Sequence, residues 1–342
     1  MVSYTQESIE YKETDMKKHI LIITTGGTIA MKPDSVTGGL MPAVSGEDLA
    51  ASVTGLAEAA DISVKEFSNI PSEYMTPEKM LALSRFADEA AKDDAIDGIV
   101  ITHGTDTLEE TAFFLDVTLH TDKPVVITGA MRGAAALSAD GPANILDAVK
   151  TAASDGAKGM GVLAVLNDHV HAAWDVEKTH TTCTDTFQSL QWGPVGTVYS
   201  DRVDFGRRTI SHGKLHPEDI ARDVWLIKCG AGTDGTLCRL AAGHKADGVI
   251  VEGFGCGNVP ADMIDALHEL AGKGIPTVLV SRVASGRVAK EYGYAGGAAA
   301  LEKSGVILGG SLSGQKARLL LMIALGVTKD KEEIRKIFQK MA

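Results

Sequence analysis

Two short segments place hydroxyl side chains directly after apolar strands. LIITTGGTIA (21–30) sets Thr28 behind two glycines, and VITHGTDTLEETA (100–112) sets Thr105 and Asp106 behind a second strand. Glycines let a backbone approach a ligand closely, a threonine hydroxyl can act as a nucleophile, and a carboxylate can bind a substrate ammonium group. These residue types are therefore candidates for covalent catalysis on a small, amine-bearing molecule.

Each loop taken separately also has a structural interpretation. Gly26 and Gly27 can form a strand-to-loop turn that Thr28 caps, and Asp106 or Thr107 can cap the helix that follows. Nucleotide binding is disfavoured, because a dinucleotide site needs GxGxxG and a phosphate loop needs GxxxxGK[ST], and the loops match neither pattern. Neither loop establishes a catalytic site by itself.

The elements around these loops alternate short β-branched strands with helices, which predicts βαβ units and a parallel sheet covered on both faces. The predicted strands cover residues 19–25, 97–103, 123–129 and 161–167, and the predicted helices cover 76–93, 106–120 and 141–154. In such sheets ligands bind outside the carboxyl ends of the strands. Both threonine loops begin where a strand ends, so we expect them to face one crevice.

A polar stretch at 201–223 lacks apolar periodicity and is predicted to link two domains. It follows an N-terminal domain at 18–200, which itself follows a polar extension at 1–17. Strands and helices resume in a C-terminal domain at 224–342, where LLLMIALGV is predicted to belong to an amphipathic helix. The predicted fold is α/β, with a larger, doubly wound and mostly parallel N-terminal sheet and a smaller parallel C-terminal sheet.

Composition and charge restrict the classes of function. The chain has 342 residues, of which 44% are hydrophobic and 5% aromatic, as expected for an α/β enzyme with a large core. A net charge of −12 disfavours nucleic acid and anionic lipid as partners. No apolar run reaches the roughly 18 residues of a membrane span, and the N-terminus has no apolar signal region. We therefore predict a cytoplasmic protein, whose four cysteines are free thiols.

Several segments together resemble the bacterial-type L-asparaginases of the asparaginase/glutaminase superfamily. The resemblance runs collinearly from about residue 18 to the C-terminus through TTGGTIA, THGTDTLEETAFFLD, VVITGAMR, SADGPANILDAV, VLNDHV…WDVEKTHTT and SGQKARLLLMIAL. It implies an amidohydrolase without a cofactor that converts L-asparagine to L-aspartate and ammonia. A secondary glutaminase activity is a further expectation. It also implies a homo-oligomer, usually a tetramer made of two intimate dimers.

The resemblance assigns roles in bond breaking and proton transfer to three residues. Thr28 and Thr105 match the two essential threonines, and Lys178 matches the lysine behind the second of them. In the implied double displacement, Thr28 attacks the side-chain amide carbon and ammonia leaves. Water activated by Thr105 and Lys178 then hydrolyses the β-aspartyl enzyme, although the sequence leaves open which threonine attacks. A lysine can act as a base only where burial lowers its pKa from the usual value near 10.4.

Further residues are assigned to substrate binding. By resemblance, Asp106 receives the α-ammonium group and belongs with the catalytic set, Ser72 lies at the α-carboxylate, and Glu73 also touches the amino-acid end. Backbone amides near Gly27 and Thr105 are predicted to stabilise the oxyanion, because loop N–H groups are not committed to a strand ladder.

The sequence departs from many relatives in the glycine-rich segment 31–48, whose composition is typical of a lid that closes over a substrate. Many relatives carry a tyrosine there that polarises the first threonine. The segment contains no tyrosine, and the corresponding position is Leu40. This difference favours one alternative, a non-catalytic amino-acid-binding protein of the same fold. A second alternative is the amidase subunit of a glutamyl-tRNA amidotransferase.

The C-terminal domain offers residues that are predicted to complete the site of a partner subunit. Asn258 lies in GFGCGN (253–258), and Glu291, Tyr292 and Tyr294 lie in the loop 281–297. The alternative is that the tyrosines pack on their own loop and Asn258 closes a turn.

Two histidines, His169 and His171, form an HxH pattern that is compatible with a metal site. The resemblance implies no metal, and no catalytic-zinc pattern of carboxylates accompanies the pair. We therefore predict loop histidines and no metal.

Overall fold

The computed structural model describes residues 17–27, 31–33, 40–42 and 53–342. Within these ranges the strands are β1 His19–Gly26, β2 Met31–Pro33, β3 Leu40–Pro42, β4 Asp61–Ile70, β5 Gly98–Thr102, β6 Val125–Thr128, β7 Val162–Leu166, β8 His169–Ala172, β9 Glu177–Lys178, β10 Phe187–Gln188, β11 Gly196–Val198, β12 Val203–Phe205, β13 Val224–Lys228, β14 Gly248–Gly253, β15 Thr277–Ser281 and β16 Ile307–Leu308. The helices are α1 Leu56–Ala59, α2 Pro77–Ala91, α3 Leu108–Thr118, α4 Gly141–Ala153, α5 Thr236–His244, α6 Ile264–Gly272, α7 Ala298–Lys303, α8 Gly314–Val327 and α9 Lys331–Met341.

The N-terminal domain is built on an eight-stranded sheet in the order β12-β11-β8-β7-β6-β5-β1-β4. The five strands from β4 to β7 in this order are parallel, and β8, β11 and β12 continue the sheet with antiparallel pairing. Along β1, Leu21 and Ile23 pack towards α2 and α3, while Ile20 and Ile22 pack towards α1 and α4. Because both faces of the central strands are buried, β1, β5, β6 and β7 are mostly apolar, as predicted for a doubly wound sheet.

The C-terminal domain has a four-stranded parallel sheet in the order β13-β14-β15-β16. One face packs against α5, α6 and α7, and α8 covers the other face. The predicted fold class, with two α/β domains of unequal size, is confirmed. β12 lies inside the stretch that was predicted to link the domains, and the predicted domain limits stay predictions.

Helix α8 differs from its prediction. It was expected to be amphipathic, but ten of its fourteen residues are buried. One side contacts α3 of the N-terminal domain, and the other contacts β13, β14 and β15 of its own sheet. Because α8 is enclosed by both domains, it is apolar almost all round, and the only buried charge on it is that of Lys316.

Helix α2 begins with the N-cap and proline that its sequence predicts. Thr76 is its N-cap, the Thr76 hydroxyl accepts a hydrogen bond from the Lys79 N–H at 3.5 Å, and Pro77 occupies the first helical position. Among the described residues no helix is long and apolar enough to cross a membrane.

One buried carboxyl group on α4 generates a stability prediction. Burial, together with the neighbouring Asp168, raises the pKa of Asp147 from 3.8 to about 7. Between these two values the folded protein holds a proton that the unfolded chain has lost, so this group lowers stability as pH rises towards 7. An amide cannot ionise and can still donate a hydrogen bond to Asp168.

We therefore expect Asp147→Asn to raise the free energy of unfolding at pH 8 by roughly 1 to 3 kcal/mol, and to raise it less at pH 5. The measurement is the melting temperature of both proteins at the two pH values. The exposed Asp94→Asn is the matched control. An equal effect of Asp147→Asn at both pH values would show that the ionisation of Asp147 does not affect stability.

Candidate active site

Three loops meet at the carboxyl ends of β4, β1 and β5. Thr24 of β1 lies opposite Thr102 of β5 in the parallel register, so the two threonine loops leave the sheet side by side, as predicted. Gly27 has φ +86°, and a Cβ atom on it would lie 2.3 Å from the Cα and backbone N of Gly104. Only glycine fits this approach, because any side chain would overlap the neighbouring loop.

The amide of Gly27 corrects one expectation about the oxyanion donors. Its N–H donates to the Ile70 carbonyl oxygen at 3.1 Å, which extends the pairing between β1 and β4. The amide is therefore committed to the backbone and cannot be a free oxyanion donor in this arrangement. Thr28 lies outside the described residues, as does the side chain of Leu40.

Ser72 joins the loop after β4 to the loop after β5. It is buried at the start of a 3₁₀ turn, and its Oγ accepts a hydrogen bond from the Asp106 N–H at 3.2 Å. The Thr107 hydroxyl donates to the Ser72 carbonyl oxygen at 2.7 Å. A Cβ atom on Gly104 would lie 2.7 Å from both Cβ and Oγ of Ser72, so the loops are in close contact.

The helix-cap interpretation of the second loop is not what the structure shows. Thr107 is the N-cap residue of α3, but its side chain makes no capping hydrogen bond and binds Ser72 instead. The Asp106 carboxylate is directed to Lys178. The polar side chains of this loop thus join it to the loop after β4 and to Lys178.

Lys178 is at the centre of the site. Its Nζ lies 3.0 Å from Thr105 Oγ1 and 2.6 Å from Asp106 Oδ1. Thr105 is 5% exposed and the Lys178 side chain 14%, whereas the Asp106 side chain is 66% exposed. The lysine therefore connects a shielded hydroxyl to a carboxylate that solvent and ligands can reach. A hydroxyl in contact with a lysine nitrogen can lose its proton more readily than a free one.

A short hairpin positions this lysine. Lys178 is in β9, which pairs antiparallel with β10 so that Phe187 lies opposite Lys178. Phe187 is buried in the core between the N-terminal sheet and helices α2 and α3. This hairpin holds Lys178 next to Thr105, although the two residues are 73 positions apart in the chain.

His103, which is not among the residues singled out from the sequence, supports the backbone immediately before Thr105. It is fully buried, its Nδ1 contacts the Gly104 carbonyl oxygen at 2.7 Å, and its Nε2 contacts Thr111 Oγ1 at 3.0 Å. Burial lowers its pKa to about 4, so the ring is neutral near pH 7. Since a carbonyl only accepts, Nδ1 donates to Gly104 and Nε2 accepts from Thr111, which fixes the backbone before Thr105.

Four predicted residues are not brought to this cluster within one chain. Glu73 is exposed in the turn after Ser72, and among the described residues its side chain makes no hydrogen bond or ion pair with the cluster. Asn258, Glu291 and Tyr294 lie in loops after β14 and β15. Among the described residues, no hydrogen bond joins them to the cluster of Ser72, Thr105, Asp106 and Lys178. Tyr292 and Tyr294 pack on each other with ring centroids 5.6 Å apart.

The HxH histidines lie in strand β8 and not in a loop, so that part of the prediction is wrong. His171 is buried, its Nδ1 lies 2.9 Å from Ser189 Oγ, and burial lowers its pKa to about 4. No group of three or more His, Cys, Asp or Glu side chains in those ranges is arranged to hold a metal ion.

Comparisons with known proteins cover both halves of the chain. Residues 19–211 match the family model described as asparaginase, N-terminal, and residues 223–338 match the one described as glutaminase/asparaginase C-terminal domain. L-asparaginase 2 of Escherichia coli (strain K12) is 37% identical over 330 residues, which cover 94% of this chain and 93% of that protein. Glutaminase-asparaginase of Pseudomonas fluorescens biotype A is 36% identical over an alignment of 345 positions, which covers 96% of this chain and 92% of that protein.

A solved structure agrees with the fold. The crystal structure of a probable cytoplasmic L-asparaginase from Campylobacter jejuni superposes with a TM-score of 0.85 at 35% identity, covering 95% of this chain and 100% of that one. The family resemblance read from the threonine motifs is thereby confirmed. With both family models matched in chain order and relatives similar over nearly their whole length, the chain belongs to the asparaginase family.

Proposed function

We propose that this chain is an L-asparaginase that hydrolyses L-asparagine to L-aspartate and ammonia without a cofactor. The observation that carries the proposal is the position of Lys178 Nζ, 3.0 Å from the Thr105 hydroxyl and 2.6 Å from the Asp106 carboxylate. A hydroxyl is activated as a nucleophile by an adjacent base, and a neutral lysine nitrogen at hydrogen-bond distance can serve as that base. Relatives named L-asparaginase, at 37% identity over nearly the full chain, support the substrate class.

The binding part of the site suits an amino acid. The exposed Asp106 carboxylate is available to an α-ammonium group, and this charge-assisted bond is of the stronger kind. Ser72 Oγ accepts from the Asp106 N–H, so its own hydroxyl proton is free to be donated to an α-carboxylate. Glu73, next to Ser72, is proposed to act at the same end of the substrate.

The reaction is proposed to proceed in two displacements. In the first, the Thr28 hydroxyl attacks the side-chain amide carbon, its proton passes to the leaving nitrogen, and ammonia departs from a β-aspartyl ester. In the second, a water molecule activated by Thr105 and Lys178 attacks the ester carbon and releases L-aspartate. Thr105 and Lys178 are held for this step by the contacts described above.

Relatives named glutaminase-asparaginase support a secondary activity on L-glutamine. The two substrates differ by one methylene, which is worth only about 1 to 3 kcal/mol of discrimination. The cytoplasmic location also remains a proposal, supported by the description of the Campylobacter jejuni protein. We also propose a homo-oligomer in which Asn258, Glu291 and Tyr294 reach the site of a partner subunit.

The catalytic assignment predicts the effect of three single variants on activity. Thr28→Ala, Thr105→Ala and Lys178→Met are each expected to lower kcat by at least about a thousandfold, because each removes a group that acts in bond breaking or proton transfer. The measurement is ammonia release from L-asparagine and, in parallel, from L-glutamine. Thr182→Ala, which alters an exposed threonine in the loop after β9, is the control and should retain wild-type kcat.

Two results would contradict this assignment. Wild type that is inert on both amides, yet is stabilised against heat by L-aspartate, would identify a binding protein. A Thr105→Ala or Lys178→Met variant that keeps wild-type kcat would show that their contact has no part in the reaction.

The binding assignment predicts a different kinetic signature at Ser72. Ser72→Ala is expected to raise KM by roughly ten- to a hundredfold and to change kcat less, because a hydrogen bond to a charged group is worth about 1.5 to 3 kcal/mol. The control is Ser84→Ala, a buried serine that contacts Thr118 Oγ1 at 2.8 Å between α2 and α3. That variant should lose stability with KM unchanged, and a similar rise of KM in both variants would contradict the assignment.

A further inference from the structure

A buried ammonium group of the C-terminal domain contacts the segment that leads to Lys178. Lys316 is on α8, and its side chain is 1% exposed. Its Nζ donates to the carbonyl oxygens of Trp174 at 3.0 Å and Val176 at 2.6 Å, and lies 3.1 Å from Glu177 Oε1. An ammonium has three protons to donate, so these three acceptors use its full capacity.

The residue before Lys316 contacts the same segment. Gln315 Nε2 donates to Glu177 Oε2 at 2.7 Å. Both carboxylate oxygens of Glu177 are therefore held by consecutive residues of α8, one by Gln315 and the other by Lys316. The residue immediately before Lys178 is tied to the other domain at two points.

The strand geometry of β9 transmits this contact to Lys178. Successive side chains of a strand point to opposite faces, and β9 consists of Glu177 and Lys178. When Glu177 is directed towards α8, Lys178 must be directed the other way, which is the side of Thr105 and Asp106. The orientation of the lysine is thus set by the residue that precedes it.

Other buried carboxyl groups surround Lys316 and Glu177, and burying so many ionisable groups together is unfavourable in free energy. Glu109 and Glu110 of α3 are largely buried nearby, burial raises the pKa of both, and that of Glu109 reaches about 7. Glu109 Oε2 has no hydrogen-bond partner among the described residues. Buried charges of this kind often add little or nothing to stability compared with apolar residues. Stability alone is therefore a weak reason for an ammonium here, and a geometric role explains its contacts better.

We propose that Lys316 and Gln315 are positioning residues, which clamp residues 174–177 from the C-terminal domain and thereby hold Lys178 Nζ against Thr105 and Asp106. The catalytic consequence rests on the proposed asparaginase function, whereas the geometric one does not. The same chain's C-terminal domain thus helps to build its active site through α8, independently of any residue from a partner subunit.

The test compares Lys316→Met, Gln315→Ala and a control on the same helix. Methionine preserves most of the buried stem but has no donors, and alanine at 315 removes only the contact with Glu177. The control is Arg318→Met, since Arg318 is a cation of α8 whose Nε donates to the Val224 carbonyl oxygen within its own domain. Each variant is measured for kcat and KM on L-asparagine, for melting temperature and by crystallography.

We expect Lys316→Met to lower kcat by about ten- to a hundredfold with a smaller change in KM, because a displacement near 1 Å has effects of this size. Gln315→Ala should lower kcat less, and Arg318→Met should leave it unchanged. In the crystal structure of Lys316→Met, Lys178 Nζ should move out of hydrogen-bond distance of Thr105 Oγ1. Loss of thermal stability in Lys316→Met and Arg318→Met alike, with kcat preserved in both, would overturn the proposal.

The remaining outcomes are also decisive. If Lys316→Met does not fold, Gln315→Ala decides: reduced kcat at an unchanged melting temperature supports the clamp, and wild-type kcat overturns it. If wild type releases no ammonia, the proposed function fails, and the clamp is judged by the crystal structures alone. An unchanged distance from Lys178 Nζ to Thr105 Oγ1 in both variants would then overturn it.

Discussion

The contact of one lysine nitrogen with a hydroxyl and a carboxylate is the interaction on which the rest of the site depends. Lys178 Nζ reaches Thr105 and Asp106 from a point more than 70 residues later in the chain, at distances of 3.0 and 2.6 Å. Charge-assisted hydrogen bonds of this length lose strength quickly when the groups separate. Both partners must therefore be held rigidly, and much of the N-terminal domain serves that requirement.

On the threonine side, rigidity comes from backbones packed without side chains between them. Gly27 lies against Gly104, and Gly104 lies against Ser72, with no space for a Cβ atom at either glycine. Beneath this contact, His103 is buried in one tautomer that is set by Gly104 and Thr111. Close packing of this kind resists small displacements, because movement of one loop requires movement of all three. The parallel register of β1, β4 and β5 brings the three loops together in the first place.

The sequence predicted those features that depend on local patterns. Apolar strands such as residues 19–25 and capped helices such as α2 were found because their signals lie within a few residues. Strand β4 was missed, since it lies at the edge of the sheet and its half-exposed residues show no regular alternation. The burial of α8 was missed for a different reason. Whether an apolar helix has one covered side or two depends on the other domain, which the helix sequence does not describe.

The same distinction explains which site residues could be found. Thr105, Asp106 and Lys178 belong to motifs with a recognisable family pattern, and the structure places them together. The commitment of the Gly27 amide to Ile70, the tautomer of His103 and the contacts of Lys316 depend on which backbone group lies opposite, and so on tertiary structure. Lys316 illustrates the point, because SGQKARLLLMIAL contributes to the family pattern while giving no sign of what its lysine touches. Its three acceptors come from residues 174–177, about 140 positions earlier, and only the packing of α8 against the N-terminal domain brings them within reach.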